Sequence, residues 1–138
     1  MQHILSYIFI LVPLAVIDAV WLISMIGTYK KYIGHLFAET PSFLPVFVFY
    51  IIYTLGVYIL VIQPQIALAG SVQAVSLLKV FLFGAFLGLV AYGTYDLTNQ
   101  ATLKDWPVLL TVTDMIWGAF LTGISSTIAM WGIKLWIK

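Results

Sequence analysis

Asp18, Asp96 and Asp114 are the residues best placed to do chemistry, because each lies inside or at the end of a long apolar run. A charge at the centre of a membrane span costs about 2.5–3.5 kcal/mol even on lenient insertion scales, so such acids are functional by default. They suit acid–base chemistry, capture of a cation or carriage of a proton. Other chemistries are excluded. The chain has no cysteine, which removes disulfides, thiolate catalysis and thiol relays. Its two histidines, His3 and His35, rule out a bis-histidine haem within the helices and argue against a His-rich di-iron centre. The D-D-x-x-D run by which isoprenoid-handling membrane enzymes hold Mg²⁺ is missing, so neither metal nor cofactor is expected. A net charge of +1 offers no basic field, and nucleic acid is not an expected partner.

The elements that must position these acids follow from composition. Of 138 residues, 63% are hydrophobic and 8% charged, against about a quarter charged in a soluble domain. The mean hydropathy is +1.10. The partner that solvates such a chain is the lipid bilayer. Each crossing needs about 20 predominantly apolar residues, and four segments supply them: 4–27, 44–62, 77–97 and 107–131. Unbroken apolar runs, rather than alternation, favour helices over a barrel. The expected fold is an all-α integral membrane protein, one domain over 1–138, built as a four-transmembrane-helix antiparallel bundle. The first apolar run is too long for a signal-peptide core and is retained as a span. Gln63-Pro64 is expected to close span two, Asp105 to cap span four, and Trp106, Trp131 and Trp136 to sit in the headgroup layer.

Between spans one and two, Tyr29, Tyr32, Ile33, Leu36 and Phe37 recur at helical spacing opposite Lys30, Lys31, His35 and Glu39. This predicts a short amphipathic interfacial helix, either an anchor or a gate. One face of the membrane receives Lys79, Lys134 and Lys138, the other Lys30, Lys31 and Lys104. The lysines balance, and the terminal amine alone tips the reading to an N-terminus inside.

Antiparallel neighbours bring the acids together. Asp18 lies about 14 Å from the far end of span one, and Asp114 about 10 Å from the same face on span four. Asp96 closes span three there. On span four, Thr111, Asp114, Gly118, Thr122 and Ser125 form one stripe, and on span three Gly84, Gly88, Tyr92, Asp96 and Asn99 form another. Tyr50, Tyr53 and Thr54 line one side of span two. The pattern D-x-x-W occurs twice, as Asp18 to Trp21 and Asp114 to Trp117, so the two could pair across the bundle. The expected site therefore has Asp18, Asp96 and Asp114 as candidate catalytic acids. Trp21, Tyr53, Tyr92, Tyr95 and Trp117 wall it, Asn99 orients a polar headgroup, and His35 reaches its mouth.

The run YGTYDLTN from Tyr92 to Asn99, with Trp106-Pro107 and the segment DMIWG from Asp114 to Gly118, resembles the bacterial membrane proteins grouped as DUF2177. DAVWL from Asp18 to Leu22 and Gly34-His35-Leu36 fit the same family. The resemblance covers the whole chain. It implies a small four-span bacterial inner-membrane protein without an established activity, and its association with lipid-modifying enzymes points toward a lipid-related substrate. Three readings compete. The first is a site that binds or processes a lipid or isoprenoid, with enzyme and binding protein both open. The second is a proton-coupled transporter. The third is a scaffold whose acids pair with another membrane protein, and the Gly84–Gly88 pair would serve a homodimer as readily as internal packing.

Overall fold

A bilayer core leaves backbone groups no partner but one another, so apolar segments of this length must become helices. In the computed structural model, which describes residues 2–137, they do. Helix α1 spans Gln2–Ile33, α2 Phe43–Val57, α3 Gln63–Ala69, α4 Leu77–Thr102 and α5 Val108–Trp136. A π-helical turn, Tyr58–Ile62, fuses α2 to α3, and no strand occurs among the described residues. Four helices are therefore long and apolar enough to cross a membrane: His3–Leu36, Phe43–Ala69, Leu77–Thr102 and Val108–Trp136. Lys138, expected among the charges of the terminal face, lies outside the described residues.

Glycine decides how the helices meet. A Cβ on Gly88 would stand 1.9 Å from the Gly118 carbonyl oxygen, and one on Gly84 2.8 Å from Ser126 Oγ. The bare backbones of α4 and α5 thus touch, giving the most extensive contact of the fold. These glycines are spent on internal packing. Helix α1 packs on α5, whereas α2 rests mainly on α1 and approaches α4 chiefly through the π turn. The apolar core sits toward the terminal face, where Ile10, Val57, Ile62, Val80, Met130 and Ile133 pack together. Gln73 and Lys134 close this end. The Gln73 amide donates to the carbonyls of Lys134 and Ile137, and Lys134 Nζ donates back to those of Gln73 and Val75.

Several boundaries differ from expectation. Gln63-Pro64 does not end the second span. The N–H of Gln63 bonds to the Tyr58 carbonyl five residues back, and this wider turn accommodates the proline that follows. The helix runs on to Gly70, whose left-handed φ of 74° stops it. The segment after Gly27 is helical, as its periodicity requires, but as a continuation of α1. Only Gly34–Leu36 forms a separate 3₁₀ turn, so no independent amphipathic helix stands between spans one and two. Asp105 caps nothing. It turns the chain at φ 60°, a conformation Asp tolerates, and Pro107 occupies the N-cap. That turn folds Trp106 inward. Trp106 is 9% exposed and its indole donates to Thr111 Oγ1 at 3.1 Å, so the ring is turned into the bundle. Trp131 and Trp136 are exposed.

Candidate functional site

Helix α1 buries Ser6, Ile10, Leu14 and Asp18 at intervals of four, one stripe turned to the bundle. The same periodicity on α5 buries Thr111, Asp114, Gly118, Thr122 and Ser125, and on α4 Gly84, Gly88 and Asp96. The three acids are 5%, 0% and 9% exposed for Asp18, Asp96 and Asp114. They are drawn together in the half of the bundle away from the termini. Among the described residues none of the acids is paired with a lysine or histidine, and no group of three could hold a metal ion.

Neutral donors do the work of cations at two of the acids. Asp18 Oδ1 accepts from the Trp117 indole at 3.1 Å and Oδ2 from the Tyr50 hydroxyl at 2.8 Å. Asp114 Oδ1 accepts from the Tyr29 hydroxyl at 2.6 Å, which in turn accepts from the Trp21 indole at 3.1 Å. The two D-x-x-W segments therefore serve each other. Trp117 of one reaches the aspartate of the other directly, and Trp21 reaches its counterpart through one hydroxyl. Their rings stack at 4.3 Å between centroids and 6° between planes, which pins α1 to α5. Charge-assisted bonds of this length are the stronger kind, and here they fix both carboxylates without neutralising them.

Asp96 is different. Neither oxygen of its buried carboxyl has a hydrogen-bond partner. It lies within electrostatic range of Asp114 and of the Tyr29 hydroxyl. One turn earlier on α4, Tyr92 lies within electrostatic range of Asp18, Tyr50 and Tyr53. Tyr53 itself shares a 2.7 Å hydrogen bond with Thr122.

Because α2 and α4 diverge above the π turn, a groove opens between them toward lipid. One part, of about 310 Å³, is lined by Phe49, Tyr53, Ala91, Tyr92 and Tyr95. An adjoining part of about 400 Å³ shares Phe49, Tyr53 and Ala91 and adds Ile52, Gly56 and Leu87. Tyr53 and Tyr92 are thus at once the wall of an apolar groove and members of the polar cluster around Asp18.

Of the residues expected from sequence, Asp18, Asp96, Asp114, Trp21, Trp117, Tyr53 and Tyr92 come together. Tyr95 borders the groove and meets the Trp106 ring edge-on. Asn99 is half-buried one turn on from Tyr95, within electrostatic range of its hydroxyl. His35 is exposed on the 3₁₀ turn, has no contact with the acids and does not reach the site. Tyr29 and Tyr50, the donors to the acids, were not among the expected site residues. The spacing held a signal for Tyr29, since eleven residues after Asp18 is about three turns and returns to the same face.

The family model described as "Predicted membrane protein (DUF2177)" matches residues 3–131. No curated protein and no solved structure matches the chain. The chain belongs to the DUF2177 family, and its four long apolar helices make it a multi-pass membrane protein.

Proposed function

Starting from that membership, we propose that the protein sits in the bacterial inner membrane, termini toward the cytoplasm, and binds or processes a lipid-like molecule at the acidic and aromatic cluster. One observation carries this reading. The apolar groove between α2 and α4 shares Tyr53 and Tyr92 with the polar cluster, so a molecule lying in the groove meets both environments at once. That juxtaposition suits an amphiphile, with chains between Phe49, Leu87 and Ala91 and a polar end toward the acids. Asp18 and Asp114 are held rigid by indole and phenol donors, so they present charge at fixed positions without reorganising when a ligand arrives. The test is a photoactivatable diacyl lipid added to the reconstituted protein. Crosslinks should concentrate on the Phe49–Tyr53 and Ala91–Tyr95 stretches and diminish in an Ala91→Trp variant that fills the groove. Labelling spread evenly over the lipid-facing surface would refute the reading.

A second reading, proton-coupled transport, is favoured by one specific feature. Toward mid-membrane from the acids, Thr54, Ser125 and Ser126 carry buried hydroxyls with no partner, beyond the Tyr53–Thr122 pair. Buried hydroxyls on that side of the carboxylates could carry a proton once water links them. Proton uptake in vesicles, dependent on Asp114 and abolished by Ser126→Ala, would establish it.

A further inference from the structure

The acids differ in what they still need. Asp18 has a donor on each oxygen. Asp114 has one, from Tyr29 to Oδ1, and Oδ2 receives none. Asp96 has none, although it is fully enclosed. An enclosed carboxyl without donors is among the costlier arrangements a fold can hold, and water would supply hydrogen bonds but no countercharge. Three acceptor atoms therefore stand open: both oxygens of Asp96 and one of Asp114. No lysine or histidine of the described chain is paired with them. The exposed lysines Lys30, Lys31 and Lys104 belong to the loop ends of the helices.

We propose that the Asp96–Asp114 pair receives the primary ammonium group of an amphiphile whose chains occupy the groove between α2 and α4. This rests on the lipid reading above and adds the headgroup to it. The donor count is the argument. A primary ammonium carries three N–H groups and one positive charge, against three carboxyl oxygens with no donor and no cation beside either acid. A headgroup with no cationic centre would meet only repulsion here. A quaternary ammonium would bring charge and suit the Trp21 and Trp117 faces, but it has no N–H to give. Tyr92 and Tyr95 line the groove four residues and one residue before Asp96 on α4, so the enclosed acid lies directly behind the groove wall in sequence. Displacement of those rings admits the headgroup.

The test uses the full chain in non-ionic detergent and native mass spectrometry with short-chain lipids of identical acyl chains. The headgroups are ethanolamine, its N-monomethyl and N,N-dimethyl forms, choline and glycerol. Each charged hydrogen bond lost should weaken binding by about tenfold, so affinity falls stepwise from ethanolamine to choline and is lowest for glycerol. Asp96→Asn should weaken the ethanolamine lipid more than the choline lipid and so narrow the gap between them. Displacement of the lipid by millimolar free ethanolamine would support the same ammonium chemistry, with a soluble amine as its source. Equal binding of all five lipids would overturn the ammonium assignment while leaving the lipid site standing. Binding of none would overturn the lipid reading itself. The methylation series needs no variant, so a poorly folding Asp96→Asn does not shield the proposal.

Discussion

Gly88→Ala should be the most damaging single-methyl change in the protein. The added carbon would stand 1.9 Å from the Gly118 carbonyl oxygen, where an ordinary C···O approach is about 3.3–3.6 Å. Helices α4 and α5 would have to part by more than 1 Å. The contact that would open is the largest in the fold, and Gly118, itself 2.3 Å from the Tyr92 ring by the same measure, lies within it. Overpacking of this kind costs about 1–3 kcal/mol and occasionally more. Gly27→Ala is the matched control. A Cβ there meets nothing within 4 Å, so the change removes a helix-interior glycine and gains up to about 1 kcal/mol. The two substitutions add the same methyl to helices in the same membrane and should move stability in opposite directions, separated by about 1–4 kcal/mol. Unfolding in mixed detergent micelles, followed by circular dichroism, measures the gap. Two variants that unfold within about 0.5 kcal/mol of each other would refute the packing of α4 on α5 described above.

Other substitutions test other joints. Tyr50→Phe removes one donor from Asp18 and should destabilise by about 0.6–1.7 kcal/mol, the range for polar contacts in membranes, and Trp117→Phe, which also gives up part of the stack on Trp21, should cost more. Combined with Asp18→Asn, either should cost much less than the sum, which a double-mutant cycle reads directly. Asp96→Asn should stabilise the ligand-free protein by about 1 kcal/mol or more, because it removes an enclosed carboxyl with no donor; a lower unfolding midpoint would contradict the burial argument. Lys134→Met should free the 70–76 loop by removing the bonds to Gln73 and Val75, seen as faster amide exchange in that loop with the α4–α5 contact unchanged. The chain has no cysteine, so single cysteines at His35 and Gln73 can be labelled in intact cells without background. Reaction at His35 alone is expected from an inward N-terminus, and reaction at Gln73 alone would reverse the topology.

The spans were legible because bilayer thickness and backbone satisfaction leave one solution for apolar runs of this length. The buried stripes were legible too, since Asp18, Asp96 and Asp114 keep helical register with glycines and hydroxyls. What escaped reading depends on geometry between helices or on local exceptions. Nothing in periodicity announces a π turn, so Pro64 read as a terminator although the turn before it lets the helix continue. Tyr29 read as part of an interfacial face because its neighbours Lys30 and Lys31 are exposed, while α1 stays straight enough in register to aim it at Asp114. Which donor serves which acid required the rotation of α1 against α2 and α5, which no single helix encodes. Trp106 was misplaced because the left-handed turn at Asp105 folds the chain back under Thr111.

The central claim is that the acidic and aromatic cluster, reached through the α2–α4 groove, holds a discrete lipid-like molecule. Mass spectrometry of small molecules retained through gentle solubilisation, comparing wild type with a folded Asp114→Asn variant, tests it most directly. The account predicts one lipid species enriched on the wild-type protein over the bulk membrane and lost from the variant. Identical bulk-lipid profiles on two equally stable proteins would contradict it.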